Sequence, residues 1–362
     1  MTLETLGKAA TDSLHAAATG GLDVEAGLHT LKRTRARRRT VKVASLVVSV
    51  ALLGWLVVDP GVGNRAQPAG HHPGSFPHSN GAIIGARDSN PTVLSEPADS
   101  LPIDLGDLPA MAARPSTYSW APDGTELAFT TPTEVRILDV RRGDSRRLFR
   151  CRSCQAAWSP LGDVIAVVAP PELRLVSAGN GSTLVTIATP GISAPSWPTW
   201  SPDGTQLVFT GFDDARGTGS YSSSGLYRVD ADGNHLSRLW AAAPGEDARA
   251  WSSAWSPDGS VIAFVEQAPQ GSSVRKGSGT VLDDLSIVMI KPDGSGRATV
   301  ADIGPCLCVE GPSLAWSPDG HLLAFSGRAD RSNGLHTMNA DGTGLRRLAT
   351  GVSGPLAWQP VP

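Results

Sequence analysis

Apolar positions in this chain come in short runs with fixed surroundings. Leu127-Ala-Phe129, Val164-Ile-Ala-Val167, Leu207-Val-Phe209, Val261-Ile-Ala-Phe264 and Leu322-Leu-Ala-Phe325 each follow a tryptophan, a proline and a glycine. A second apolar run comes after each, and then, in three places, an Asp-Gly pair at Asp232-Gly233, Asp293-Gly294 and Asp341-Gly342. Runs this short, rich in Val, Ile and Phe and bounded by Pro, Asp and Gly, predict β-strands joined by hairpins.

The turns themselves repeat. The chain reads W-A-P-D-G at Trp120–Gly124, W-S-P-L-G at Trp158–Gly162, and W-S-P-D-G at Trp200–Gly204, Trp255–Gly259 and Trp316–Gly320. A shortened copy, W-Q-P, occupies Trp358–Pro360. From Trp to Trp the intervals are 38, 42, 55, 61 and 42 residues. In such a turn Pro presets φ at the second position, Asp tolerates the third, and Gly takes the left-handed geometry that closes the hairpin. The preceding Trp is large enough to fill a wedge between neighbouring units. A metal-binding role for these Asp residues is the weaker reading, since Leu161 stands in place of the Asp in the second copy.

A unit near 40 residues that cannot bury its own face stacks on copies of itself, and four strands per unit make a propeller blade. Residues Leu314–Phe325 (LAWSPDGHLLAF) and Leu335–Leu348 (LHTMNADGTGLRRL) resemble the blades of TolB-type, WD-repeat-like propellers, and the resemblance covers about residues 110 to 360. It implies an all-β fold and says little about function. Five copies supply four strands each, and Trp358 supplies one more. The three strands still needed are expected at Gly81–Gly85, Thr92–Leu94 and Leu101–Leu105. The expectation is a six-bladed β-propeller closed by pairing of C-terminal and N-terminal strands, since closure removes the open sheet edges.

Charge divides the chain. The net charge is −3, but residues 1–42 hold eight Lys/Arg against four Asp/Glu, so the remainder is acidic. An acidic propeller argues against nucleic acid as a partner. Seven basic residues lie between Lys32 and Lys42, and the sixteen residues Val43–Val58 carry no charge. At ~1.5 Å per residue that run covers about 24 Å, near the lower limit for a membrane span. The basic cluster places residues 1–42 in the cytoplasm as a tail, 43–58 as a single transmembrane helix, and everything beyond outside. The competing reading is an export signal, with Arg38-Arg39 as a twin-arginine pair, but no A-x-A cleavage site follows Val58. Residues 59–80, rich in Gly, Pro and Ser with His71, His72 and His78, read as a flexible linker to the propeller at 81–362. The tail resembles those of actinobacterial anti-sigma-type membrane proteins, which implies a cytoplasmic regulator as a further partner.

Cysteines come as Cys151-x-x-Cys154 and Cys306-x-Cys308. The pairs follow different repeats, three blades apart in a six-bladed ring, which disfavours a joint four-Cys metal site. Two local disulfides suit an exported domain.

Strand alternation puts the W-S-P-D-G turns and the second Asp-Gly turns on one face. The longer loops lie on the other. The two long intervals come from insertions at Gly211–Gly225 and Gln267–Asp284, in adjacent blades. The candidate ligand-binding residues are therefore Asp213, Asp214, Arg216 and Tyr221 of the first insertion, Asp283 and Asp284 of the second, and the nearby Trp197, Trp240 and Trp251. The alternative for these tryptophans is gap-filling between blades. No catalytic constellation, metal site or cofactor motif emerges: G-x-S-x-G is missing, and the propeller holds only His235, His321 and His336. The functional expectation is a non-catalytic, membrane-tethered extracytoplasmic module that binds a protein or cell-envelope ligand by its long-loop face. The alternatives are a transmembrane relay whose tail engages a regulator such as a sigma factor, and a propeller hydrolase or lyase.

Overall fold

A computed structural model describes residues 79–87, 90–95, 97, 103–106, 108, 117–213, 224–242, 248–267, 274–276, 280–306, 312–329 and 332–361. The expected tail (1–42), span (43–58) and most of the linker lie outside the described residues. Among the described residues no helix is long and apolar enough to cross a membrane.

Six antiparallel sheets follow one another. The chain enters through β1 (Ser79–Arg87) and β2 (Asn90–Ser95). Blade one is β3 (Tyr118–Trp120), β4 (Glu126–Thr130), β5 (Glu134–Asp139) and β6 (Asp144–Arg150). Blade two is β7 (Gln155–Trp158), β8 (Val164–Ala169), β9 (Glu172–Ser177) and β10 (Thr183–Ile187). Blade three is β11 (Ile192–Trp200), β12 (Gln206–Asp213), β13 (Ser224–Asp230) and β14 (Ser237–Trp240). Blade four runs from β15 (Arg249–Trp255) and β16 (Ile262–Gln267) through a small hairpin strand β17 (Val274–Lys276) to β18 (Thr280–Ile290) and β19 (Ala298–Cys306). Blade five is β20 (Leu314–Trp316), β21 (Leu322–Ala329), β22 (Ser332–Asn339) and β23 (Arg346–Thr350). Finally β24 (Val352–Val361) pairs with β1, so the sixth sheet has the order β2-β1-β24 and closes the ring as the sequence predicts.

The core lies between the blades. Each repeat Trp packs on the sheet before its own: Trp158 clusters with Val135 and Ile137 of blade one, Trp255 with Val208 and Leu226 of blade three, and Trp316 with Val265 and Ile287 of blade four. Phe129, Phe209, Phe264 and Phe325, one from each of four second strands, are wholly buried beside them. The Trp120 ring meets Ala357 and Ile84, carrying the same contact across the point of closure.

The described residues of the strand expected at Leu101–Leu105 do not form one. Ile103–Leu105 is not part of a ladder, and Pro102 beside it has no N–H to give to one. The Asp104 carboxylate instead accepts from the Gly106 N–H at 2.9 Å, a local turn that competes with strand pairing. The segment still takes the place of a fourth strand. In other blades the outer hairpin stacks on the outer strand of the blade before, as Gly294 does on Leu239 and Gly342 on Val300. In blade one the equivalent glycine, Gly143, stacks on Asp104. The Asp104 N–H donates to the Val140 carbonyl at 2.7 Å, and Ile103, Leu105 and Leu108 pack into the cluster around Trp120.

Candidate axial cavity site

The six inner strands β3, β7, β11, β15, β20 and β24 surround an axial cavity of about 800 Å³. One end is rimmed by the turn prolines Pro122, Pro160, Pro202, Pro257 and Pro318 and by Pro360 near the end of β24. Those turns are built as the sequence implies. Gly204 donates its N–H to Ser201 O at 2.9 Å with φ of 70°, and a side chain there would strike Leu161 of the preceding turn. At Gly124, a Cβ would come within 2.1 Å of the Pro360 carbonyl oxygen. Each of the five turns therefore nests against the copy before it.

The turn carboxylates are committed locally. Asp203 accepts from the Ser201 hydroxyl at 2.6 Å and from the Thr205 N–H at 3.1 Å; Asp258 and Asp319 repeat the pattern with Ser256, Ser260, Ser317 and His321. Partial burial opposes their ionisation, but the serine and backbone donors outweigh it and hold all three carboxyls below the ordinary aspartate value. Asp319 also clasps Asn80, accepting from its Nδ2 at 2.7 Å while its own N–H donates to Asn80 Oδ1 at 3.2 Å. The chain thus enters the propeller at this short-turn end.

The small residues before each Trp stitch the inner strands together, a role that sequence reasoning missed. The Ala156 N–H donates to Thr117 Oγ1 at 2.9 Å and the Trp158 N–H to Ser119 Oγ at 2.8 Å. Leu314 N–H donates to Ser252 Oγ and Leu356 N–H to Ser313 Oγ, each at 3.1 Å. The one available signal was a hydroxyl residue three places before the Trp, at Thr117, Ser252 and Ser313.

The predicted ligand residues scatter. Trp197 lies in β11, lines the axial cavity and is half-buried. Trp240 is buried between blades three and four, its ring centroid 5.5 Å from that of Phe264. Trp251 packs against the cluster between blades four and five, and its Nε1 donates to Gln267 Oε1 at 2.9 Å. Gap-filling accounts for these two, and only Trp197 faces a space that could hold a ligand. Asp213 ends β12, paired with Ile192. Asp214, Arg216 and Tyr221 lie outside the described residues. Asp283 and Asp284 are not loop residues as expected: they pair with Cys306 and Pro305 within the β18–β19 ladder. The β-prone run Thr280–Leu282 before them carries the strand on.

Cys151 and Cys154 form a disulfide across the link from blade one to blade two. Cys154 is wholly buried, and the loop is further held by the Ser153 N–H donating to Pro132 O at 3.1 Å. Of the second pair, Cys306 is described only as backbone and Cys308 lies outside the described residues. Among the described residues no three His, Cys, Asp or Glu side chains are grouped to hold a metal.

Solved structures that share this architecture include two TolB proteins. A protein from Agrobacterium tumefaciens described as a TolB superposes over 79% of this chain and 99% of its own, with a TM-score of 0.53 and 19% identity. TolB from Acinetobacter baumannii superposes over 77% of this chain and 66% of its own, with a TM-score of 0.52 and 17% identity. An oligogalacturonate lyase from Vibrio parahaemolyticus reaches a TM-score of 0.38 at 15% identity, over 76% of this chain and 85% of its own, a likeness too loose to bear on chemistry. No family model and no curated protein matches the sequence. At these identities the likeness speaks for fold alone, and in fold the chain is a six-bladed, TolB-like β-propeller.

Proposed function

We propose that the propeller is a non-catalytic binding module for a protein or cell-envelope ligand, displayed outside the cell membrane on the uncleaved span 43–58. The observation that carries this reading is the unlike construction of its two ends. At one end five short turns and the end of β24 nest on each other, and the carboxylates of Asp203, Asp258 and Asp319 are engaged in their own hydrogen bonds. The strand ends that carry the two insertions, the second with its β17–β18 hairpin, and the half-buried Trp197 lie toward the other end, which offers the variable surface that ligand recognition uses. The ligand engages that long-loop end and the cavity below it.

Site-specific photo-crosslinking in living cells tests the proposal. A crosslinking residue at Thr189 or Gly191, on the link into blade three, is expected to capture a discrete partner, and one at Gly162 in the short turns is not. Equal capture at both ends, or none at the long-loop end, would overturn it. Intact mass of the native protein from a membrane fraction tests the tether. A mass that includes residues 1–58 is expected, and also leaves residues 1–42 available to a cytoplasmic regulator. A mature start beyond Val58 removes the anchor and leaves a released propeller.

A further inference from the structure

One side chain breaks the pattern of the inner strands. Three residues before the repeat Trp, five blades carry Thr117, Gln155, Ser252, Ser313 and Pro355, and blade three carries Trp197. Its backbone is held in the left-handed region at φ of 52°, a conformation that L side chains avoid. A bulge is the cause: between the Ser196↔Thr210 and Thr199↔Val208 pairs, Trp197 and Pro198 together face a single partner residue. Bulges re-aim side chains, and strain of this kind persists only where the surroundings enforce it. The enforcement is visible. Trp197 N–H donates to Gln155 Oε1 of blade two, and its carbonyl accepts from the Ser253 hydroxyl of blade four at 3.0 Å. Two neighbouring blades fix the backbone and leave the indole among the residues lining the cavity. Among the described residues the indole N–H has no protein acceptor, yet it is not a buried orphan.

The surrounding chemistry selects the ligand. Ser119, half-buried, lines the same cavity and accepts the Trp158 N–H, which leaves its hydroxyl proton to donate, while Ser252 and Ser313 line it from buried positions, each accepting a backbone N–H. The charged residues of the lining, Asp258, Asp319 and His321, sit in the short turns at the opposite end, roughly 10 Å along the strands. An aromatic platform with a free N–H, uncharged hydroxyls around it and carboxylates only at the far mouth suit a ring with apolar faces and a hydroxyl rim. We propose that Trp197 is the stacking platform of a neutral-glycan site in the axial cavity. This rests on the reading of the propeller as a binding module and names the ligand's chemistry. A cavity of about 800 Å³ falls in the size range of small-ligand sites.

The test uses the full-length chain in a non-glycosidic detergent. Cellohexaose, maltohexaose and chitohexaose are titrated by calorimetry and by tryptophan fluorescence, with hexagalacturonate as the anionic counterpart and a library of proline- and aromatic-containing peptides as competitors. At least one neutral hexamer is expected to bind and to shift the emission, and hexagalacturonate to bind at least tenfold more weakly. Trp197→Ala should weaken binding tenfold or more. Trp197→Phe, which keeps a stacking face, should stay within about threefold of the native chain and lose the emission shift. Failure of every neutral glycan at millimolar concentration, unchanged binding by a folded W197A, or equal affinity for the anion overturns the proposal. Peptide binding without glycan binding overturns it too, while leaving the module reading intact; crosslinks missing from the long-loop end would instead remove that reading.

Discussion

Each aspartate of the repeated turn is a structural acceptor, and that fixes how the protein responds to acid. Asp203, Asp258 and Asp319 hold lowered values in the folded state, so they contribute stability above their unfolded value near ~4, and lose it as pH falls through the folded value. Asp230 adds to this through its hydrogen bond with His235. Glu126 works the other way: burial raises it against the pull of Arg146, so its contribution is largest at low pH. The lowered groups outnumber the raised one. The urea midpoint should hold steady from pH 7 to about 5 and drop below about 4, and D203N, D258N and D319N together should flatten that drop. The turn glycines give a second prediction. Gly124→Ala meets both a positive φ and the Pro360 carbonyl, whereas a Cβ at Gly191 meets nothing within 4 Å at a similar φ of 74°. Urea unfolding should show a loss of about 3 kcal/mol for G124A against about 1 kcal/mol for G191A.

At the scale of strands and blades, stability is distributed between apolar wedges and stitches. Truncating a wedge, Trp255→Ala, should cost about 4 kcal/mol, in the range for a buried aromatic. Removing a stitch, Ser313→Ala, strands the buried Leu356 N–H and should cost about 2 kcal/mol with almost no change in volume. The Cys151–Cys154 bond closes a very short loop, so its removal as C151A/C154A should cost about 2 kcal/mol; a midpoint unmoved by reductant would show the link to be held by its backbone bonds alone. Much of this level could be read from the residues. Pro, Asp and Gly at fixed offsets gave the hairpins, and the partnerless Trp358 gave the closure. What stayed hidden depended on context. The Asp104 side chain prefers its own turn to a ladder. Asp283 and Asp284 look like loop acids but are carried into a strand by Thr280–Leu282. The stitching hydroxyls have no apolar period to betray them. At the candidate site, the sequence marked three tryptophans near one sector. It did not separate Trp197, three residues before its repeat Trp, from Trp251, four before its own, because both β11 and β15 carry a bulge there that upsets simple strand alternation.

For the whole molecule, the ring has two unlike ends, and the chain enters at the end built from short turns, where Asn80 and Asp319 grip each other. Closure also sets an order of events. The sixth sheet joins β1, near the start of the propeller, to β24, which follows every other blade in the chain. On a ribosome the first blades emerge long before that partner exists. Until β24 arrives, β1 exposes an unpaired rim and blade one lacks the neighbour that buries Trp120. The ring is therefore an open arc until β24 has been made, and only then can it lock.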